Sequence, residues 1–265
     1  MISSSQLKIY RSLLHKKYRY KHGRFLFEGA NLCEAALASD AELEILLISD
    51  DVRDKPSNAK LKDLALAKMV PFEIVPDEVI ESLSDAVTPQ GIVAVAKMKM
   101  PLLEDLWSLL PAEILVLDQI RDPGNLGTIL RTAEWFGIQV VILSKSCVDL
   151  FNSKVLRSSA GSCFQLNMII NDVDLMDFIS LLSQYKYKII AADPSASISY
   201  TEIAYERPFA LIIGSERHGV DKRIHSLPIT EICVPRQGKA DSLNAAVTAG
   251  ILLGEAFRGR EIEHG

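Results

Sequence analysis

The sequence predicts an α/β protein with a parallel sheet in its C-terminal part and a smaller α/β domain before it. Apolar runs that suit short strands alternate with helical segments along the whole chain. After residue 112 the runs, including "ILVL", "VVIL" and "FALII", are apolar at every position, which is typical of strands covered by helices on both faces. Pro101 and Pro111 bracket "LLEDLWSLL", a predicted linker helix. We therefore divide the chain into domains 1–104 and 105–265.

Composition and cysteine spacing exclude several classes of protein. The 265 residues are 48% hydrophobic and 24% charged, as in globular proteins that can bury a core. No apolar run is long enough to cross a bilayer, and "MISSSQLKIY" lacks the apolar stretch of a signal peptide, so we expect a cytoplasmic protein. The four cysteines have neither CxxC spacing nor histidines at metal-ligand spacing. The sequence therefore predicts reduced thiols and no metal site.

The first domain is predicted from alternating helical and strand patterns. In order, these are a helix over 6–17, a strand over 25–27, a helix in "GANLCEAALAS", a strand in "ELEILLIS", a helix in "NAKLKDLALAKM", a strand in "FEIV", a helix in "DEVIESL" that Asp77 caps, and a strand in "GIVAVAKM".

Positive charge is concentrated at the start of this domain, although the formal net charge is −5. Residues 1–27 contain seven Lys or Arg and no Asp or Glu, interleaved with tyrosines. This mixture suits phosphate contacts and stacking on unpaired bases, whereas a solvated amphipathic helix remains the alternative. The candidate RNA-binding residues are Lys16, Lys17, Arg19, Arg24 and, in the later stretch "KVLRSSAGS", Arg157; a structural role is equally open for Arg157.

The second domain follows the same alternation. The predicted elements are a strand in "EILVLD", a helix over 128–135, a strand in "VVIL", a helix near 154–158, a strand near 164–168, a helix over 174–185, strands in "YKIIAA", "FALIIG" and "EICVP", and a helix over 244–257. Ligands of such folds bind beyond the carboxyl ends of the strands.

Three polar, glycine-bearing stretches follow predicted strands and are expected to converge on one pocket. They are "IRDPGNLGTILRTAEWFG", "LIIGSERHGV" and "CVPRQGKADSLNAAVTAGILL". Neither GxxxxGK[ST] nor GxGxxG occurs in the first of these stretches, which disfavours a kinase or a nicotinamide enzyme. Taken singly, Asn125 could end a turn, Glu216 could be solvated, and Asp241 or Ser242 could cap the last helix. Taken together with Arg131 and Asn244, these residues favour a functional site. His218 and His225 are interpreted as surface residues.

The three stretches resemble the three motifs of the SpoU (TrmH-type) RNA ribose methyltransferases of the SPOUT superfamily. In addition, "RYKHGRFLFEGANLCEAAL" and "TPQGIVAVA" are similar to a ribosomal-protein-like substrate-binding domain that precedes many of these enzymes. The resemblance implies a deep trefoil knot in the second domain, S-adenosylmethionine as cofactor, and a homodimer whose active sites draw on both subunits. It implies cofactor contacts at Ala192, Gly214, Val234 and Leu243, and polar active-site roles for Asn125, Arg131, Glu216, Ser242 and Asn244.

Two residues depart from the family's third motif. Arg236 stands where Met is frequent, and Ala245 stands where Val is common; both lie beside the implied cofactor loop and leave the pocket's shape open. The predicted reaction is methylation of a ribose 2′-hydroxyl, with ribosomal RNA favoured over transfer RNA. The rival interpretations are a catalytically silent RNA-binding protein and an α/β enzyme with another nucleotide ligand. Retention of the polar set disfavours the silent protein; its members are Asn125, Arg131, Ser242 and Asn244.

Overall fold

The computed structural model describes residues 2–109 and 111–258. It divides into two units, which we treat separately. The first unit comprises Met1–Lys99 and Asp149–Gln165, and the second comprises Met100–Val148 and Leu166–Gly265. The sequence led us to expect two contiguous domains and gave no sign that residues 149–165 belong with the first unit. Among the described residues, no helix has both the length and the apolar character needed to cross a membrane.

The secondary structure contains helices and strands in alternation. The helices are α1 (Ser4–Ser12), α2 (Lys16–His22), α3 (Ala30–Ala38), α4 (Pro56–Ala67), α5 (Asp77–Glu81), α6 (Leu106–Leu109), α7 (Pro123–Trp135), α8 (Ser153–Ser159), α9 (Leu175–Gln184) and α10 (Ala245–Ala256). The strands are β1 (Arg24–Glu28), β2 (Leu43–Ser49), β3 (Phe72–Val75), β4 (Ile92–Lys97), β5 (Glu113–Leu117), β6 (Val140–Ser144), β7 (Met168–Val173), β8 (Lys188–Ala192), β9 (Phe209–Ile213) and β10 (Thr230–Ile232).

The first unit is built on a mixed four-stranded sheet in the order β1-β4-β2-β3. Strand β4 is antiparallel to both β1 and β2, whereas β2 and β3 are parallel. Its apolar core includes Leu47, Leu83 and Val93, all fully buried. Residues 149–165 add an aromatic cluster, in which the Phe25 and Phe151 rings are 4.7 Å apart and the Phe27 and Phe164 rings are 5.0 Å apart.

Two sequence predictions in this unit were wrong in detail. The helix predicted over 6–17 is broken into α1 and α2, because the Arg19 guanidinium donates to the carbonyl oxygens of Leu13 and Leu14 between the two helices. Asp77 is the first residue of α5 and not its cap; the preceding Pro76 occupies the cap position. The Asp77 carboxylate instead accepts a hydrogen bond from the Ser49 hydroxyl.

The second unit is built on a six-stranded sheet in the order β10-β8-β9-β5-β6-β7. Every neighbouring pair is parallel, so the predicted class is confirmed. The strand interiors are buried, as expected for a sheet between helices. Strand β7 begins at Met168 and not near Phe164, since residues 162–164 form a short 3-10 helix. Helix α7 begins at Pro123, five residues before the predicted start at Thr128.

Candidate active site

The predicted site residues lie at one edge of the parallel sheet. Strands β10, β8, β9 and β5 are consecutive neighbours and parallel, so their carboxyl ends share that edge. Ala192 ends β8, Gly214 follows β9, and Val234 lies two residues beyond β10. The loop after β5 leads to Asn125 in the first turn of α7. This is the edge at which ligands bind in parallel α/β sheets.

The dense proline and glycine pattern after β5 builds the start of α7. Asp122 is the cap residue, and its Oδ1 accepts a hydrogen bond of 2.8 Å from the Asn125 backbone N–H. Pro123 occupies the first turn, where its missing N–H leaves no hydrogen bond unmade. A Cβ atom at Gly124 would lie 2.9 Å from Asp122 Oδ1, so a side chain there would disturb the cap. The stretch therefore fixes where Asn125 stands.

Three side chains, one from each motif stretch, form a hydrogen-bonded network. Asn125 Nδ2 donates to Glu216 Oε1 at 2.6 Å, and Asn125 Oδ1 accepts from Asn244 Nδ2 at 2.8 Å. Glu216 Oε1 also accepts from the backbone N–H of Ala245 at 2.9 Å, in the first turn of α10. Asn244 caps the same helix through Oδ1, which accepts from the N–H groups of Ala246 and Val247. We call Asn125, Glu216 and Asn244 the strand-end network.

The loop that carries Glu216 is closed on itself. Ser215 and Gly219 exchange two backbone hydrogen bonds of 3.1 and 2.8 Å, and the Ser215 hydroxyl accepts from the His218 N–H. A Cβ atom at Gly214 would lie 2.1 Å from the Gly219 carbonyl carbon. Gly214 is therefore required by the close approach of the returning chain, whatever it binds.

Two predicted catalytic residues lie outside the strand-end network. Arg131 is on α7, six residues and roughly 9 Å of helix beyond Asn125. Its side chain is exposed and forms no hydrogen bond or ion pair within the described residues. Ser242 is also exposed, two residues before Asn244. Both are accessible to a bound ligand, but neither is fixed by the chain's own side chains.

The residues predicted to hold S-adenosylmethionine suit an adenosine group in character. Ala192, Gly214 and Val234 are half-buried and uncharged. Leu243, which belongs to the same sequence stretch as Val234, is 44% exposed. Nucleoside sites are mostly apolar, with a few polar groups that fix orientation. Exposed apolar surface next to backbone at strand ends fits that requirement. The assignment of these four residues to the cofactor stays a prediction.

The structure corrects the RNA-binding prediction for Arg19 and gives Arg157 and Arg24 acidic partners within the first unit. Arg19 is buried and its guanidinium binds Asp149 and two carbonyl oxygens. Arg157 is half-buried and pairs with Glu28 and Asp85 at 3.1 and 2.7 Å. Arg24 is half-buried and its Nε lies 2.6 Å from Glu44 Oε2. The RNA contacts predicted for Arg24, Arg157 and the exposed Lys16 and Lys17 stay predictions.

Sequence reasoning missed polar residues that support the strand ends. Asp118, buried directly after β5, accepts a hydrogen bond of 2.8 Å from the Asp221 N–H in the loop after β9. Hydrogen bonds from Arg223 lower the pKa of the Asp221 carboxyl. The sequence did contain a signal for Asp118, since an acidic residue directly follows the apolar strand "ILVL".

A second cluster lies near the ends of β8 and β10. His225 Nδ1 is 2.5 Å from Glu231 Oε1, and His225 Nε2 is 3.8 Å from Asp193 Oδ2. One potential ligand atom from each of these three residues lies within 4.8 Å of the other two, a spacing that a metal ion could bridge, and all three side chains are partly or largely exposed. No sequence spacing predicted this cluster, because Asp193 follows β8, His225 lies in a 3-10 helix over 222–226, and Glu231 lies in β10.

Comparison with known proteins agrees with this geometry. The model of the SpoU rRNA Methylase family matches residues 112–254, and the model of the MRM3-like substrate binding domain matches residues 4–94. The chain belongs to the SpoU rRNA methylase family. Membership of the SpoU family confirms the resemblance and the predicted enzyme class.

Relatives of this SpoU protein match it over nearly its whole length. The 23S rRNA (guanosine(2553)-2'-O)-methyltransferase RlmP of Bacillus subtilis is 32% identical, over 94% of this chain and 95% of its own. A solved RNA 2'-O ribose methyltransferase superposes with a TM-score of 0.82 at 32% identity, covering 97% of both chains. An AdoMet-bound rRNA methyltransferase from Sinorhizobium meliloti has a TM-score of 0.83 at 28% identity, covering 98% of both chains.

Proposed function

We propose that this SpoU protein transfers a methyl group from S-adenosylmethionine to a ribose 2′-hydroxyl in ribosomal RNA. The strand-end network carries the proposal, because it joins three stretches separated by 91 and 119 residues at the ligand-binding edge of the sheet. A protein that only bound RNA would not need these residues together. The name of the Bacillus subtilis relative favours ribosomal RNA over transfer RNA.

The chemistry assigns different tasks to cofactor and protein. S-adenosylmethionine supplies an electrophilic methyl group on a sulfonium. The chain must orient the ribose hydroxyl and stabilise the negative charge that develops on its oxygen. Arg131 suits the second task, because a guanidinium can bind the neighbouring phosphate with two parallel hydrogen bonds and face the same oxygen. Since arginine is normally protonated, we assign it charge stabilisation and not proton removal.

The remaining polar residues position the loops. Asn125 and Asn244 hold the first and third stretches against Glu216, and the exposed Ser242 hydroxyl is available to the substrate. Cofactor contacts are proposed for Ala192, Gly214, Val234 and Leu243, and the trefoil knot implied by the family resemblance is part of the same proposal.

A homodimer is the second part of the proposal, supported by exposed apolar side chains on α7 and α10. Trp135, one helical turn after Arg131 on α7, is 81% exposed, and Val247 on α10 is 51% exposed. Phe136 and Phe257, which directly follow α7 and α10, have ring centres 5.9 Å apart. Aromatic side chains such as that of Trp135 are enriched at protein–protein interfaces. Because Arg131 lies outside its own strand-end network, we propose that it completes the site of the second protomer. We also place the enzyme in the cytoplasm, since its four cysteines are free thiols.

Methyl transfer from labelled S-adenosylmethionine tests the reaction. The purified full chain is incubated with ribosomal RNA, transfer RNA or ribosomal subunits, and the RNA is digested to identify the methylated nucleoside. A 2′-O-methyl nucleoside from ribosomal RNA or subunits is the expected result. Label only in transfer RNA would overturn the substrate, a base-methylated nucleoside would overturn the reaction, and cofactor binding without any transfer would favour a silent RNA-binding protein.

The dimer is tested separately by light scattering after size-exclusion chromatography. The wild-type chain is expected at about twice its sequence mass of 29.3 kDa, and Trp135→Glu is expected at the monomer mass with little methyl transfer. A Leu102→Glu variant, which changes an apolar residue of the second unit that is 64% exposed, is the control. A monomeric wild-type chain would contradict the proposal.

A further inference from the structure

The arginines of the second unit fall into two groups. Outside the three motif stretches, each described arginine pairs with a carboxylate: Arg207 with Glu113, Arg223 with Asp221, and Arg258 with Glu255. Within the stretches, Arg121, Arg131 and Arg217 are exposed, and their side chains form no hydrogen bond or ion pair with another described residue. Arg236 donates only to the carbonyl oxygen of Ala240, at 3.1 Å. Uncompensated positive charge is therefore concentrated in the stretches that form the strand-end network.

Arg121 and Arg217 occupy matching places after two neighbouring strands. Leu117 and Ile213, the last residues of β5 and β9, are partners in the parallel pairing. Each arginine follows its strand end by four residues. Neighbouring strands are about 4.8 Å apart, and both of these strands end at the edge where ligands bind in parallel α/β sheets. The two arginines therefore belong to the same edge as the strand-end network.

Arg217 stands on the closed loop that carries Glu216. Backbone hydrogen bonds between Ser215 and Gly219 close this loop, and Glu216 Oε1 accepts a hydrogen bond of 2.6 Å from the Asn125 amide. Because N–H donors occupy the Glu216 carboxylate, it does not neutralise the guanidinium that follows it in the chain. The backbone of Arg217 is fixed, whereas its charged group is available to a ligand.

Arg121 stands between two anchored residues. Ile120 is buried, and its carbonyl oxygen accepts a hydrogen bond of 2.8 Å from the Val148 N–H. On the other side, Asp122 caps α7 by accepting from the Asn125 N–H. A fixed backbone reduces the entropy that is lost when the side chain binds a ligand.

An RNA phosphate fits these two arginines better than the cofactor does. A guanidinium binds a phosphate or a carboxylate through two parallel hydrogen bonds. S-adenosylmethionine offers one carboxylate, but it also carries a sulfonium and an ammonium group, which uncompensated guanidinium groups repel. RNA offers a phosphate on either side of each internal ribose, and phosphate contacts fix the register of a protein on a nucleic acid.

We propose that Arg121 and Arg217 bind the phosphates next to the ribose that is methylated. This contact holds the 2′-hydroxyl at the strand-end network, whereas Arg131 stabilises the charge that develops on its oxygen. The two arginines therefore act in substrate binding and leave the chemical step to other groups. That the bound RNA is the methylation substrate rests on the proposed function; the binding of RNA phosphates does not.

Steady-state kinetics and RNA binding test the proposal on the full chain. Methyl transfer is measured against the concentration of ribosomal RNA, and RNA affinity is measured by filter binding without S-adenosylmethionine at several salt concentrations. Arg121→Gln and Arg217→Gln are each expected to raise the KM for RNA about tenfold, with kcat within about threefold of the wild type. Each should reduce the slope of log K against log salt by about 0.7–0.9. Arg217→Lys keeps the charge but loses the paired hydrogen bonds, so its slope should match the wild type while its affinity falls.

Lys186→Gln is the matched control, because it removes an exposed positive charge of the same unit just before β8, at the opposite edge of the sheet. It should change neither the KM for RNA nor the salt slope. Unchanged KM and slope in both arginine variants, or an equal loss in Lys186→Gln, would overturn the proposal. Weaker binding of S-adenosylmethionine in calorimetry, with RNA binding unchanged, would also overturn it and assign the arginines to the cofactor's carboxylate.

The binding assay separates this proposal from the proposed function. A wild-type chain that binds RNA but methylates none would contradict the proposed function. In that case a loss of RNA affinity and of salt slope in Arg121→Gln and Arg217→Gln would still support the phosphate contacts.

Discussion

In each unit one carboxylate connects segments that are far apart in the sequence, and the two carboxylates differ in solvent exposure. Asp149 joins segments 130 residues apart, and its side chain and that of Arg19 are 6% and 7% exposed. Glu216 joins stretches 91 residues apart, but it is exposed at the edge of the parallel sheet. A buried ion pair is shielded from solvent, so removing one partner leaves the other charge buried and unpaired. The exposed network, in contrast, is accessible to a ligand. We therefore expect loss of folding stability from changes at Asp149 and loss of activity from changes around Glu216.

The largest effect on stability is expected from Asp149→Ala. The substitution leaves the Arg19 guanidinium buried without its counter-ion, and breaking a buried pair costs about 3–5 kcal/mol in the free energy of unfolding. Urea denaturation measures the change. Asp54→Ala, at a carboxylate whose side chain is 86% exposed, is the control and should change little. An unfolding curve unchanged in Asp149→Ala would show that the comparison between the two carboxylates is mistaken.

The largest effect on activity is expected from Arg131→Ala. Loss of a group that stabilises developing charge lowers kcat by about 10²–10³-fold, and affinity for S-adenosylmethionine should remain within about twofold. Turnover assays and calorimetry measure the two quantities. Arg53→Ala, which changes an exposed arginine of the first unit, should leave both unchanged. Equal losses of turnover and cofactor affinity in Arg131→Ala would remove the role assigned to the guanidinium.

A smaller effect is expected from Asn125→Asp. The new carboxylate replaces the amide that donates to Glu216 Oε1 at 2.6 Å and places two like charges in contact. We expect kcat/KM to fall by about tenfold or more, which corresponds to about one lost hydrogen bond, with only a small change in thermal midpoint because the site is exposed. Asn31→Asp, an exposed position on α3, is the control. A large fall in thermal midpoint would show that this network also supports the fold.

The smallest effect concerns acid stability of the first unit. Burial disfavours ionisation of Asp85, but hydrogen bonds from Ser153 and Arg157 outweigh burial and hold the pKa of Asp85 below its usual value of 3.8. A lowered pKa contributes stability that is complete above pH 3.8 and is lost as the pH falls through the folded-state value. Asp85→Asn should therefore lose less stability than the wild type between pH 5 and pH 2.5 in urea titrations. Asp63→Asn, an exposed carboxyl on α4, should follow the wild type.

The second unit's fold was predictable because its strands are apolar throughout. Runs such as those at β5 and β9 identify buried parallel strands without further information. The start of α7 was placed too late, because Pro123 and Gly124 read as a loop while the Asp122 cap makes them helical. The membership of residues 149–165 in the first unit depends on long-range contacts, such as that between Phe25 and Phe151, which no local pattern records.

The site was predictable in part. The meeting of Asn125, Glu216 and Asn244 follows from the rule that parallel strand ends share an edge. Arg19 was misassigned because a basic residue within a basic run looks exposed, and its acidic partner lies 130 residues away. The His225 cluster was also missed, since Asp193 follows β8 and Glu231 lies in β10, so the three residues share no local spacing pattern.

The membership of segment 149–165 in the first unit restricts how domains can be exchanged between such proteins. It lies inside the stretch that the methylase family model matches, 112–254, yet it belongs to the unit that contains the substrate-binding match, 4–94. A chimera that replaced residues 1–99 alone would therefore leave Asp149 without Arg19, and Arg157 without Glu28 and Asp85. Chimeras between relatives are therefore expected to fold best when both stretches come from the same parent, so the two behave as one exchangeable module although the chain separates them.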